Sequence, residues 1–336
     1  LEKIPQQPLS LVARIPQTSV EQLLTQLVPP REFKTSSFDN YITDPSFSSQ
    51  ALAVSIARTF STGSKQGLDV ALIKKLKTSA GIYFDGGFGV GKTHLLASTW
   101  HAFKGKKVFG SFLAFTGLIG VLGFANALKA LAKYDLICID EFELDDPGDT
   151  MMMSRLLSEL APKGVKFAAT SNTPPNALGQ GRFAAADFAR EINAMADRFT
   201  IITVDGEDFR HRPTTSSARA LSQSDLDAWT QTFSHAEVAS DDFQSLLTHL
   251  STLHPSRYLQ LLDGISALAV KHAFLLHDQV AALRWVALVD RLYENKVALR
   301  ASGVPLTETF SDEMIGGAYR KKYLRAISRL GALSEL

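Results

Sequence analysis

The chain has 336 residues, enough for two or three domains, and its 45% hydrophobic and 21% charged residues are the balance of an ordinary globular protein. A formal net charge of +1 excludes a bulk electrostatic pull on nucleic acid or an anionic membrane surface. The single cysteine, Cys138, excludes an internal disulfide and fits a reducing compartment; the eight histidines form no HExxH or Cys/His cluster for zinc, and no run reaches the ~18 apolar residues of a membrane span.

The chain begins Leu1-Glu-Lys, without Met and without the layout of a signal peptide, which points to sequence upstream. Residues 1–79 carry little chemistry. Val20–Val28 has the spacing of a short amphipathic helix closed by Pro29-Pro30, and Phe47–Phe60 and Val70–Lys77 read as two more helices. Arg31–Pro45 is polar, with Phe33, Phe38 and Tyr41 spaced through it. We expect this region to pack on the core; the alternative is that the aromatic stretch covers a nucleotide base or a partner.

Ile82–Phe84 is a short apolar run fit for a buried strand, and Thr93–His101 reads as a helix. Between them Gly86, Gly87, Phe88, Gly89, Val90, Gly91, Lys92 and Thr93 have the spacing of a phosphate-binding loop. Glycines let backbone amides approach a polyphosphate with no Cβ in the way, and the helix N-terminus faces the anion. Lys92 supplies positive charge for the β and γ phosphates of ATP, and Thr93 offers a hydroxyl to Mg²⁺.

Lys107–Phe112 reads as a second strand. Thr116–Leu131 is helix-like but interrupted by Gly117, Gly120 and Gly123. Those glycines with Phe112, Phe115 and Phe124 suit close helix–sheet packing, or a mobile loop that grips a polymer. Tyr134–Glu141 then runs four apolar residues into two acids. Placed after a phosphate loop, Asp140 is expected to hold Mg²⁺ and Glu141 to deprotonate the attacking water. Asp145, Asp146 and Asp149 read as helix capping before Pro147 rather than as a metal site.

Val165–Ala169 is another strand, running into Thr170-Ser171-Asn172, where Asn172 is placed to touch the γ-phosphate and the attacking water. Ala184–Asp197 reads as a helix and Ile201–Val204 as a fifth strand. Five strands with intervening helices predict an α/β fold with a five-stranded parallel sheet, its motifs at the carboxyl ends of strands. Asp208–Ser224 reads as a linker. Beyond it Asp225–Phe233, Asp241–Leu253, Ser256–Asp263, Asp278–Glu294 and Ala318–Leu333 look helical, and Ile265–Val270 and Val297–Ala301 strand-like. Lys321, Arg325 and Arg329 form one stripe on the last helix, which reads from spacing alone as a solvated face or, though no basic arm accompanies it, as a surface for nucleic acid.

The strand ending Asp-Glu-Phe, the strand ending Thr-Ser-Asn before two prolines, and the fifth strand running into VDGEDFRHR resemble the ZapE family of AAA+ ATPases, with weaker likeness in Asp290–Gly303 and Arg325–Leu330. GRFAAADF and DEFELDDPGD suit actinobacterial members. The resemblance implies a P-loop AAA+ domain over residues 80–212 and a mixed, mainly helical lid domain over 213–336, with ATP between them and Arg329 or Arg325 contributing a cation. It implies homo-oligomers with shared sites, an arginine finger at Arg182 or Arg190, a link to cell division or protein remodelling, and a place in the cytoplasm or at the inner face of the membrane or division site. Two departures stand out: Val108–Phe112 reads VFGSF where the family has His-Phe-His, and the arginines after the third motif are spread apart. A helicase-loader type of AAA+ ATPase shares these motifs but lacks a DNA-binding module here. A small-molecule kinase fits less well, because Glu141 and Asn172 suit water as the nucleophile.

Overall fold

The computed structural model describes residues 8–16, 20–64, 67–144, 147–178, 189–207, 219–317 and 319–336. It divides into one unit of residues 19–211 and another of residues 1–18 with 212–336.

The first unit opens with helices α1 (Val20–Thr25), α2 (Ser48–Thr62) and α3 (Val70–Thr78). Strand β1 (Gly81–Asp85) follows, then α4 (Lys92–Ala102), β2 (Lys107–Ser111), α5 (Phe112–Leu122), α6 (Phe124–Leu131) and β3 (Leu136–Asp140). The unit closes with α7 (Pro147–Leu160), β4 (Lys166–Ser171), α8 (Ala189–Ala196) and β5 (Phe199–Thr203). The sheet order is β2-β3-β4-β1-β5 and every pairing is parallel.

The strands are apolar on both faces, as a helix-covered parallel sheet requires. Tyr83, Ile137, Ile139, Phe167 and Phe199 bury into one core, and Ile82, Phe84, Leu136, Cys138 and Ile202 into the other. This alternation is the period-two pleat of a strand. Cys138 is a packing residue, and burial raises its thiol pKa well above the ordinary range.

Local signals set the ends of the elements. The side chain of Asp69 caps α3 by accepting from the Leu72 amide, and Ser111 caps α5 by accepting from the Ala114 amide. The expected Thr116–Leu131 helix is two helices that meet at Gly123, whose φ of 73° few other residues adopt. Phe112 and Phe115 are buried and Phe124 stacks under the Arg155 guanidinium at 4.3 Å. Neither Phe112 nor Phe115 is placed to grip a polymer. The described part of the helix expected over Ala184–Asp197 is Ala189–Ala196. Asp145 and Asp146, and the side chain of Asp149, lie outside the described residues, as does most of the linker expected over Asp208–Ser224.

The second unit contains α9 (Gln223–Thr230), β6 (Val238–Asp242), α10 (Phe243–Thr252), α11 (Tyr258–Leu261), β7 (Ala267–Ala273), α12 (Gln279–Glu294), β8 (Ala298–Gly303), α13 (Asp312–Gly316) and α14 (Arg320–Leu333). Its three strands form a parallel sheet in the order β6-β7-β8. Two of the three, β7 and β8, correspond to the strands expected at Ile265–Val270 and Val297–Ala301. The third, Val238–Asp242, carries no strand signal because its apolar run is only Val238-Ala239 before polar Ser240, Asp241 and Asp242, and the helix expected from Asp241 starts at Phe243 with Asp242 as its cap.

The N-terminal residues also differ from the single 1–79 segment expected. Leu9 bridges to Ala239, and the Asp241 carboxylate accepts from Ser10 Oγ at 2.5 Å and the Leu11 amide at 2.7 Å. This stretch therefore packs in the second unit, whereas α1 to α3 belong to the first.

Candidate active site

The sheet order puts the carboxyl ends of β1, β4 and β3 side by side, so three separated stretches of sequence meet. The loop after β1 carries Gly86 to Gly91. Gly86 has φ 156°, and a Cβ there would lie 2.2 Å from the Val204 carbonyl oxygen. Gly91 has φ 86° and caps α4, and a Cβ there would lie 2.6 Å from the Tyr41 ring. Gly86 thus has no room for a side chain, and at Gly91 the positive φ and the Tyr41 ring disfavour one.

Lys92 begins α4 and is buried at 8% exposure. Its Nζ donates to the Gly86 carbonyl at 2.9 Å, to the Gly87 carbonyl, and to Asn172 Oδ1 at 2.9 Å. The Lys92 ammonium thus lies inside the cradle formed by the loop, with Asn172 on its far side.

Thr93 Oγ1 donates to Asp140 Oδ1 at 3.1 Å, and Thr170 Oγ1 donates to the same oxygen at 2.5 Å. Burial pushes the Asp140 carboxyl up to about 6; the adjacent Glu141 charge adds to this, and the Thr170 and Thr93 hydroxyls oppose it. Glu141 follows with φ 51°, a left-handed conformation for a residue with a side chain. Its amide donates to Thr170 Oγ1 at 3.1 Å, and the Phe142 amide donates to the Thr170 carbonyl at 2.6 Å.

The donors fit Mg²⁺, a hard cation that takes one or two protein oxygens and leaves its other positions to phosphate and water. A threonine hydroxyl and a carboxylate stand together, and among the described residues no group of three or more His, Cys, Asp or Glu side chains is gathered as a denser metal cage.

The segment before α2 straps this loop from outside. Tyr41 donates its hydroxyl to the Val90 carbonyl at 2.7 Å and sets its ring edge to His94 with centroids 5.5 Å apart. Burial raises the Tyr41 phenol to about 12, so it stays a donor. His94 Nε2 is 3.0 Å from the Ser37 carbonyl, His101 Nε2 is 3.0 Å from the Phe33 carbonyl, and buried Gln50 joins the Asp44 amide to the Asp205 carbonyl. Tyr41 and Thr170 are the site residues the motifs missed. For Tyr41 the signal was an aromatic in a polar stretch; for Thr170 it was a hydroxyl at the end of a central strand.

The remaining candidates are dispersed. Arg182 lies outside the described residues. Arg190 is exposed in the first turn of α8. In the second unit Arg325 and Arg329 both bind Asp290, at 2.8 Å for Arg325, with side-chain exposures of 16%, 20% and 13% in the order Arg325, Arg329, Asp290. Arg329 also stacks over Tyr293 at 5.1 Å. The two arginines are thus committed to a buried carboxylate and are not a solvated stripe, and the expected nucleotide cation at Arg329 already has this partner. Burial alone would raise the Asp290 pKa, but the Arg325 and Arg329 charges hold it below the usual range.

A family model described as AFG1-like ATPase matches residues 17–236 and 228–335. The Cell division protein ZapE of Escherichia coli (strain K12) is 28% identical over 292 residues, 74% of this chain and 76% of that protein. Lactation elevated protein 1 homolog B of Danio rerio is 36% identical over 90 residues, 26% of this chain and 18% of that protein. Among solved structures, the crystal structure of DnaI is similar with TM-score 0.39 and 18% identity, covering 55% of this chain and 98% of that chain.

Proposed function

The chain belongs to the AFG1-like ATPase family, and on that premise we propose that it hydrolyses ATP with Mg²⁺ at the joined ends of β1, β3 and β4 and uses the turnover to act on protein partners in cell division. The observation that carries this reading is that neighbouring Lys92 and Thr93 each bond the end of another strand, Lys92 reaching Asn172 and Thr93 reaching Asp140.

In this reading the residues divide the work between them. The loop amides and Lys92 bind the β and γ phosphates, Lys92 exchanging the Gly86, Gly87 and Asn172 oxygens for phosphate oxygens. Thr93 and Asp140 hold Mg²⁺, which when bound neutralises charge on the phosphate oxygens. Glu141, one residue beyond Asp140, accepts a proton from the attacking water. Asn172 orients that water or the γ-phosphate. Arg182, or Arg190 after it, supplies charge to the site of a neighbouring subunit, which makes the working form a homo-oligomer.

The cell-division role is supported by the name of the Escherichia coli relative. No helix among the described residues is long and apolar enough to cross a membrane. We place the protein in the cytoplasm, meeting the membrane or division site only peripherally. A Glu141→Gln protein, loaded with ATP and used to capture partners from bacterial lysate, tests the coupling. Division proteins should be retained with ATP and released with ADP. Capture that ignores the nucleotide would contradict it.

A further inference from the structure

The regular ladder between β3 and β4 runs from Leu136↔Lys166 to Ile139↔Ala169 and stops there. The next residues in register are Asp140 and Thr170, and a side chain takes over from the backbone. Thr170 Oγ1 donates to Asp140 Oδ1 at 2.5 Å and accepts from the Glu141 amide at 3.1 Å. Its carbonyl accepts from the Phe142 amide at 2.6 Å. One residue therefore grips three successive residues of the opposite strand end, and it is 2% exposed.

We propose that Thr170 is a positioning residue for hydrolysis, whose hydroxyl fixes the Asp140 carboxylate and the Glu141 backbone relative to each other. The inference rests on the roles given above to Asp140 and Glu141.

The chemistry of the contact selects the residue type. A hydroxyl donates one hydrogen and accepts on its lone pairs, so it can serve a carboxylate and an amide at once. The branched threonine side chain has fewer χ1 choices than serine, which keeps that oxygen in place. The contact also lies where it is needed. Glu141 holds φ 51°, a strained conformation for a residue with a side chain that persists only when its surroundings hold it. The Thr170 oxygens on the Glu141 and Phe142 amides are that hold. They turn the chain at Glu141 just past the point where β3 ends. Two hydroxyls share Asp140 Oδ1; Thr93 is assigned to the metal, and Thr170 is the one that ties the carboxylate to the sheet.

The test compares Thr170→Val, Thr170→Ala and Thr170→Ser with the wild-type protein. Valine keeps the shape and loses the hydroxyl, serine keeps the hydroxyl, and alanine removes the hydroxyl without risk of crowding should the valine variant fail to fold. Two quantities are read: kcat for phosphate release, and the Mg²⁺ concentration that half-saturates the tightening of a fluorescent non-hydrolysable ATP analogue. With valine or alanine, kcat should fall about 10²-fold, the scale of a small misplacement of reacting groups. The Mg²⁺ requirement should rise severalfold, and metal-free analogue binding should stay as in wild type. Serine should stay close to wild type in both. Wild-type kcat and Mg²⁺ response in the valine or alanine variant would overturn the proposal, and so would a serine variant as impaired as valine. Absence of phosphate release from the wild-type protein would instead overturn the reading of the site as hydrolytic, while the Mg²⁺ titration would still decide the role of Thr170.

Discussion

Lys92 and Asn172, 80 residues apart, meet across the ends of β1 and β4, with Nζ donating to Oδ1 at 2.9 Å. The same ammonium holds the Gly86 and Gly87 carbonyls. Truncating it removes the charge partner of the phosphates and releases Asn172 together. Lys92→Ala should weaken ATP binding roughly 10- to 100-fold, the scale of losing a charged hydrogen bond, and abolish turnover. Equilibrium titration with labelled ATP checks the first effect and phosphate release the second.

The Tyr41 strap predicts a smaller effect on the same loop. Tyr41→Phe removes one hydrogen bond to the Val90 carbonyl, worth about 1 kcal/mol, and should weaken ATP binding about fivefold. Tyr41→Ala also removes the ring from beside Gly91 and should cost more. Unchanged affinity in both variants would show that the strap has no influence on the loop.

In the second unit, Asp290 holds Arg325 and Arg329 with little solvent access. Asp290→Asn leaves two cations without their counter-charge and should destabilise this unit by about 3 kcal/mol, seen as an early unfolding transition in denaturant. The pH dependence has a fixed sign. The Asp290 pKa is lowered in the folded protein, so its contribution is present above the unfolded value of about 4 and is lost as pH falls through the folded value. The wild-type unit should lose stability below about pH 4 more steeply than the Asp290→Asn protein. Parallel acid profiles would contradict this.

A shared active site predicts complementation. Arg182→Ala should bind ATP and be nearly inactive, because an arginine finger is worth about 10³–10⁵-fold in related NTPases. Mixing it with Lys92→Ala should restore part of the activity, since some interfaces then pair an intact loop with an intact arginine. No recovery on mixing, with activity per subunit independent of concentration down to monomer, would exclude a finger supplied in trans.

The legible parts of this chain were those governed by short-range rules. Gly86 to Thr93, and Asp140-Glu141 at the end of an apolar run, announced themselves because phosphate and metal chemistry fix residue type and spacing within one turn. The five strands of the first unit are legible as short apolar runs. The contacts hidden from sequence are those that depend on which strand ends become neighbours. Thr170 looks like any strand residue until β4 is laid beside β3. The stripe of Arg325 and Arg329 reads as a solvated face until Asp290, on α12, is found against it. β6 escaped because Asp241 and Asp242, which serve the Leu11 amide and the α10 cap, make its second half look like a loop. Tyr41 sits in a stretch without periodicity, where only the fold reveals what the ring covers.

The most direct test of the central claim is phosphate release from Mg²⁺-ATP by purified wild-type and Glu141→Gln proteins, with no acceptor other than water and with ATP binding measured in parallel. The account predicts steady hydrolysis by the wild type and a loss of about 10²–10⁴-fold in Glu141→Gln, the contribution of a general base, with ATP still bound. Hydrolysis by Glu141→Gln at more than about half the wild-type rate would contradict the assignment of Glu141 as the base.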